Sequence, residues 1–274
     1  MKRRVQIAAG MLCLAALTAI PGEAGSISVF ISKPGAQASV VGGTEVATFD
    51  SLALGNVNTA YVSPIGTYQA SATSPFNVSA PNQYGGASNG TSTTNYFAIG
   101  AQSGTSAPVS VTLNETADYF GFWWSAGDAN NGIGFYSGNT LLAHFTTQML
   151  VTLLNGGVGQ VAAIDGTKYD TISYYGNPNN TTQNKGEPYA FVDIVTTDLT
   201  FDTIVFDNGG KTSSGFESDN HTITAAQVAL SGDHVYVGDV NLAAPEPASV
   251  LLLAGGLTLI AAARRRAPGA LRSR

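Results

Sequence analysis

An all-β fold is predicted for this chain, and three observations predict it. Apolar and polar residues alternate with period two over short runs, as in residues 108–114, where Val109, Val111 and Leu113 share one face and Ser110, Thr112 and Asn114 the other. Gly, Asn, Ser and Thr punctuate such runs at intervals of roughly 8 to 12 residues, the spacing of sandwich or barrel strands. Helical periodicity is scarce, and only residues 146–154 read as a helix, weakened by Val151 and Thr152. No repeat of roughly 20 to 50 residues points to a solenoid or propeller, so a jelly-roll-like β-sandwich is expected.

Taken in order, residues 26–32, 45–53 and 67–71 are predicted as the early strands. Residues 79–95, rich in Ser, Asn, Gly and Thr and carrying Gly85-Gly86, read as an exposed, mobile loop. Strands resume at 96–100 and 108–114. Residues 118–125 (DYFGFWWS) give the strongest signal: Phe120, Phe122 and Trp124 face one way and Tyr119 and Trp123 the other, so both faces are aromatic. The polar turn 127–132 leads into strands at 133–136 and 141–145, and the helix comes after them. A second loop, rich in Asn, Gly and Pro, covers 176–188. Strands are then predicted at 189–196, 201–207, 214–219 and 221–225, with a weaker one inside 230–240.

The two ends have a different character. Lys2-Arg3-Arg4 precede an apolar run over residues 5–20, and Ala24 closes the stretch with Gly22 two positions before it. That pattern predicts a secretory signal peptide, residues 1–24, handled by Sec-type export machinery and cut by signal peptidase between Ala24 and Gly25. Cys13 is the only cysteine. Before it stands Leu12, where a lipid-attachment site requires a small residue, and it lies inside the apolar run, so the exported chain is expected to carry neither lipid nor disulfide. At the other end, Pro245-Glu246-Pro247 leads into an apolar run, residues 248–263, and then Arg264-Arg265-Arg266. As a helix those 16 residues rise about 24 Å, short of the roughly 30 Å hydrocarbon core. The span therefore holds a membrane weakly, and the arginines favour its cytoplasmic side. Pro245 and Pro247 lack N–H donors and keep the backbone before the span extended.

A proline-bounded tripeptide, one hydrophobic span and an arginine cluster on an exported chain resemble the PEP-CTERM sorting signal. The resemblance implies an exosortase as partner, transient residence in the inner membrane of a Gram-negative bacterium, and delivery to the cell surface or an exopolysaccharide matrix. The chain is thus expected to divide into signal peptide (1–24), β ectodomain (25–244) and sorting signal (245–274). The ectodomain carries four lysines and no arginine against sixteen acidic residues, a net charge of −12, which speaks against nucleic acid as a partner.

No GxSxG, HExxH or P-loop pattern occurs. Asp202, Asp207, Glu217 and Asp219 are candidates for the paired acids of a glycosidase, although acidic residues at strand ends are expected to be solvated. His144, His221 and His234 form no short-spaced pair; Asp219-Asn220-His221 and Asp233-His234 are weak metal candidates. Asp128 and Asn130 begin a loop with alternating oxygen ligands and a late glycine, Gly132, as a calcium loop does, but without the downstream bidentate Glu. Calcium is therefore the one cofactor to consider, with none expected otherwise. Tyr119, Trp123, Tyr174 and Tyr175 are the candidate sugar-facing aromatics, whereas Phe120, Phe122 and Trp124 are expected in the core.

The segments FDTIVF and GFESDNH look like the closing strands of carbohydrate-binding and discoidin-like jelly rolls, and beside them stand the YFGFWWS strand and the GDANNGIGFY hairpin. Together with the tail they resemble a family of exosortase-dependent surface proteins that lack an assigned reaction. A non-enzymatic surface or matrix role is expected, with carbohydrate binding as the alternative and glycosidase chemistry third.

Overall fold

The computed structural model describes residues 25–88, 93–180 and 182–240. The predicted signal peptide with Ala24, and Pro245-Glu246-Pro247, the apolar run and Arg264 to Arg266 of the predicted sorting signal, lie outside the described residues. The described residues are all-β, with two large antiparallel sheets, one two-stranded hairpin and one short α-helix.

The larger sheet runs in the order β17 (Val235–Val240), β1 (Gly25–Ile31), β14 (Ala190–Thr197), β9 (Tyr119–Ser125), β16 (Gly215–Thr224), β7 (Tyr96–Gly100), β6 (Phe76–Ser79), β3 (Gly55–Val57). The short β2 (Glu45–Ala47) pairs with the C-terminal part of β16. The smaller sheet runs β11 (Thr140–Thr146), β10 (Gly132–Ser137), β15 (Phe201–Asp207), β8 (Val109–Ala117), β5 (Gly66–Tyr68), β4 (Tyr61–Val62). A separate hairpin joins β12 (Gln160–Ala162) to β13 (Lys168–Asp170). The helix, α1 (Thr147–Leu153), lacks a side-chain N-cap and ends at Leu154, after which Asn155 takes φ 46°. The described residues form one compact unit.

Alternation decides which side chains meet between the sheets. Phe120, Phe122 and Trp124 of β9 join Phe216 of β16 and Phe206 of β15 in one continuous core, with ring centroids 5.2 Å apart for Trp124 and Phe216 and 5.5 Å for Phe206 and Phe216. Each such ring contributes roughly 2 to 3 kcal/mol by leaving water. In β8, Val109, Val111 and Leu113 point inward, as their spacing predicts.

The outer face of the larger sheet is buried as well, and this decides the site. Its apolar side chains, Phe30, Tyr119, Trp123, Phe191 and Val195, cannot face water at low cost, so loops cover them with Ala36, Val41, Ala87, Ile164, Val228 and Leu230. Residues 79–95 are exposed in part, as their composition predicts, with Pro81, Asn82, Tyr84 and Ser88 facing solvent, but Gly85, Gly86 and Ala87 are buried as part of that layer. Gly86, at φ 100°, has no room for a Cβ against Pro81 and the Thr94 carbonyl. Residues 45–53 also depart from a single strand. The strand stops at Ala47, and the chain turns so that Phe49 plugs the core.

Candidate functional site

The site is organised by β16, which the alternating pattern splits into two strands at Asn220 but which runs unbroken from Gly215 to Thr224. A bulge between Asp219 and Thr222 places Asn220 at φ 51°, and the extra residue reverses the facing of the side chains beyond it. Glu217 and Asp219 consequently lie on the outer face beside Ser125 and Trp123, while His221 turns into the core. Asp219 and His221 thus cannot share a metal. His221 stacks on Phe206 at 4.7 Å, lies within hydrogen-bond distance of Tyr68 Oη and Ser218 Oγ at 2.7 and 2.8 Å, and is held neutral by burial, which lowers its pKa to about 3. Its Ser–His–Tyr arrangement is closed to substrate, because all three residues are buried.

Three carboxyl groups lie under the loop layer, and their surroundings differ. Asp193 accepts hydrogen bonds from Ser32 Oγ at 2.8 Å and Tyr119 Oη at 2.7 Å; burial raises its pKa to about 6 against those bonds. Gly121 is required there, because a Cβ opposite Asp193 would overlap the Tyr119 hydroxyl. Asp219 accepts from Ala87 N–H at 3.1 Å, Thr94 Oγ1 at 2.8 Å and Asn220 N–H at 2.8 Å, and burial still raises it to about 7. These two are satisfied and pin the loops to the sheet. Glu217 is different. Gln102 Nε2 donates to its Oε1, but its Oε2 is buried with no partner among the described residues.

Glu217 opens onto a cavity of about 270 Å³ whose lining includes Tyr84, Gln102, Asp128, Glu187 and Ser214. Gln102 Oε1, Glu187 Oε2 and Ser214 Oγ are likewise buried without a hydrogen-bond partner among the described residues. No described Lys, Arg or His lines the cavity. Burial pushes the Glu217 carboxyl well above the ordinary carboxylate range, and the charges of Asp128 and Glu187 push the same way. Glu187 is raised by burial and then by Asp128; Asp128 is raised by burial, partly offset by the Gly215 N–H. A Cβ at Gly215 would overlap Glu217 Oε1 and the Gln102 amide, so this glycine makes room for the pair.

On the other side of Tyr84 lies an open cleft of about 610 Å³ lined by Asn82, Gln83, Asn177, Asn179, Asn180 and Gln183. Some of these amides build the cleft: Asn177 Nδ2 donates to the Asn82 and Gln83 carbonyls at 3.3 and 3.1 Å, and Asn179 Nδ2 to the Gly86 carbonyl at 2.9 Å. The side chains of Gln83 and Gln183 make no such bond among the described residues, and Tyr84 is 39% exposed. The cleft thus offers uncommitted amide donors and acceptors beside an accessible ring.

The residues singled out by the sequence are scattered over the fold. Tyr119 and Trp123 are fully buried, because their face of the sheet is covered rather than open; they are not ligand-facing. Tyr174 is buried too, its hydroxyl donating to the Ser32 carbonyl at 2.9 Å, and the Tyr175 hydroxyl is enclosed. The four candidate acids do not converge. Asp202 and Asp207 lie on β15 in the smaller sheet, where Asp202 accepts from Gly138 N–H at 2.7 Å and Asp207 pairs with His144 at 2.7 Å. Glu217 and Asp219 lie on the larger sheet and are buried, not solvated. In the 127–132 turn Asn130 is exposed, and the structural residue is Asn131, which accepts from Asp128 N–H at 2.9 Å and donates to Asn208 Oδ1 at 2.8 Å. Among the described residues, no three His, Cys, Asp or Glu side chains stand gathered as ready metal ligands. Gln102, Glu187, Ser214 and the amide cleft carry no sequence motif, since segments far apart in the chain supply them. Compared with known protein families, curated proteins and solved structures, the chain has no match.

Proposed function

We propose that this chain is an exported surface or matrix protein of a Gram-negative bacterium, sorted through its C-terminal signal, and that its β domain works by binding and not by catalysis. The two sheets over one core are read as a β-sandwich of jelly-roll type. The observation that carries the address is the succession of Pro245-Glu246-Pro247, a marginal apolar span and Arg264 to Arg266. Exosortase recognition then needs both an extended motif and an anchor that fixes its height above the membrane. Replacing Pro245, Glu246 and Pro247 by alanine is expected to leave export intact and trap the whole chain in the inner membrane. An epitope placed after Arg266 reads this out by immunoblotting of membrane and surface fractions. A wild-type surface protein that still carries the epitope would overturn the sorting reading.

The amide-lined cleft favours a neutral glycan as the bound partner. Amides donate and accept at once, as adjacent sugar hydroxyls do, and Tyr84 supplies a ring for the apolar face of a pyranose. Glycan-array binding that falls at least about tenfold in Tyr84→Ala and Gln183→Ala is the expected result. Binding unchanged in both variants would place the ligand elsewhere.

A further inference from the structure

The cavity beside Glu217 presents a problem of charge and hydrogen bonding that the fold does not solve by itself. Three carboxyl groups, Asp128, Glu187 and Glu217, line it with no described basic side chain to balance them. Glu217 is 2% exposed, and its Oε2 has no donor among the described residues. A buried, unpaired carboxylate is expensive, and so are three further unpartnered oxygens around the same space. A water could satisfy the hydrogen bonds, but water leaves the charge unbalanced.

We propose that this cavity is a divalent-cation site that takes Ca²⁺, held by Glu217, Glu187 and Asp128 with the Gln102 amide oxygen and the Ser214 hydroxyl. The donor set is all oxygen and mixes carboxylate, amide carbonyl and hydroxyl, which selects hard cations over zinc or copper. Calcium suits it better than magnesium. The donors come from separate segments: Gln102 lies just past β7, Asp128 in the turn after β9, Glu187 before β14 and Ser214 before β16. Calcium accepts six to eight oxygens in irregular geometry, whereas magnesium demands a compact octahedron. As the side chains stand, the three carboxylates line one cavity without being gathered closely enough to hold an ion, so binding requires them to close on it. Bound calcium would tie those segments to β16 at one point. Tyr84 lies on the boundary between this cavity and the amide cleft, so calcium would also steady one wall of the cleft. The site stands independently of the glycan reading.

The test is a calcium titration of the full chain in detergent after dialysis against chelator, read by calorimetry and by thermal unfolding. One calcium per chain is expected, with a rise in Tm on the order of 5 °C at saturation and a weaker response to magnesium. Glu217→Gln and Glu187→Gln, which keep shape and remove one charge each, are each expected to weaken calcium binding by about tenfold or more. Without calcium, Glu217→Gln is expected to unfold no earlier than the wild type, because it removes an uncompensated charge. Absence of any heat or Tm shift at millimolar calcium would overturn the site and leave a water-filled cavity with a protonated Glu217. Wild-type binding that persists in both variants would overturn it too, since the ion would then sit elsewhere. Should Glu217→Gln fail to fold, Glu187→Gln, at a half-buried loop position, decides between the same two outcomes.

Discussion

At Trp124 the indole ring is fully buried, 5.2 Å from Phe216 and 5.6 Å from Phe145, yet its N–H has no partner among the described residues. Trp124→Ala is expected to cost about 3 to 5 kcal/mol in urea unfolding, since it leaves a cavity in the continuous core. Trp124→Phe is expected to cost much less, about 1 kcal/mol, because it keeps a ring and removes the stranded donor. The buried acids set the pH dependence. Asp193 and Asp219 have pKa values of about 6 and about 7 in the folded chain, above the unfolded range near 4. These two carboxyls therefore bind more protons in the folded state from about pH 4 up to their folded values, and their contribution to stability falls as pH rises through that window, on the order of 1 kcal/mol per unit for each group. His221, whose pKa burial lowers to about 3, opposes this trend. Urea unfolding from acid to neutral pH checks the direction, and Asp219→Asn is expected to flatten the slope while lowering stability overall. Alternation with Phe120 and Phe122 identifies Trp124 as core from the sequence. Trp123 and Tyr119 escape the same reasoning, because alternation says which residues share a face but not whether that face is covered.

Among the elements, β16 shows best what periodicity reveals and what it hides. The pattern of apolar and polar residues changes phase at Asn220, and a change of phase reads as a break between two strands; a bulge produces the same pattern in one continuous strand. Asn220 sits at φ 51° with its side chain donating to the Gln37 carbonyl at 2.6 Å. Asn220→Gly keeps the backbone conformation and loses that bond, whereas Asn220→Val also meets left-handed strain. The valine variant is expected to be less stable than the glycine variant by about 2 kcal/mol, measured by chemical denaturation. Equal stability would mean that the bulge relaxes when Asn220 is lost. The loop layer is the least legible part of the fold. Its covering residues, such as Ala36, Ala87 and Ile164, are single apolar side chains in polar stretches, too sparse for any period to register. Most of the cavity donors are hidden for the same reason. Two are visible in the sequence: Glu217 as a candidate acid, and Asp128 through a calcium-loop pattern in which Asn130 turns out to be exposed and apart from the cavity.

For the whole molecule, residues 25–240 carry no cysteine, so their unfolding is expected to be identical with and without reductant, and their circular dichroism is expected to show a β spectrum. Burial over two faces of the larger sheet gives the domain its stability, and residues 25–240 carry a net charge of −12. If this domain is cargo between two processing signals, the intact mass of the protein recovered from the cell surface must show it, and no other measurement tests the point more directly. The predicted mass corresponds to a chain that begins at Gly25 and lacks the apolar span and the arginine cluster, with any group attached at the sorting site appearing as a defined increment. A mass equal to the full 274 residues, or one retaining Arg264 to Arg266, would contradict it.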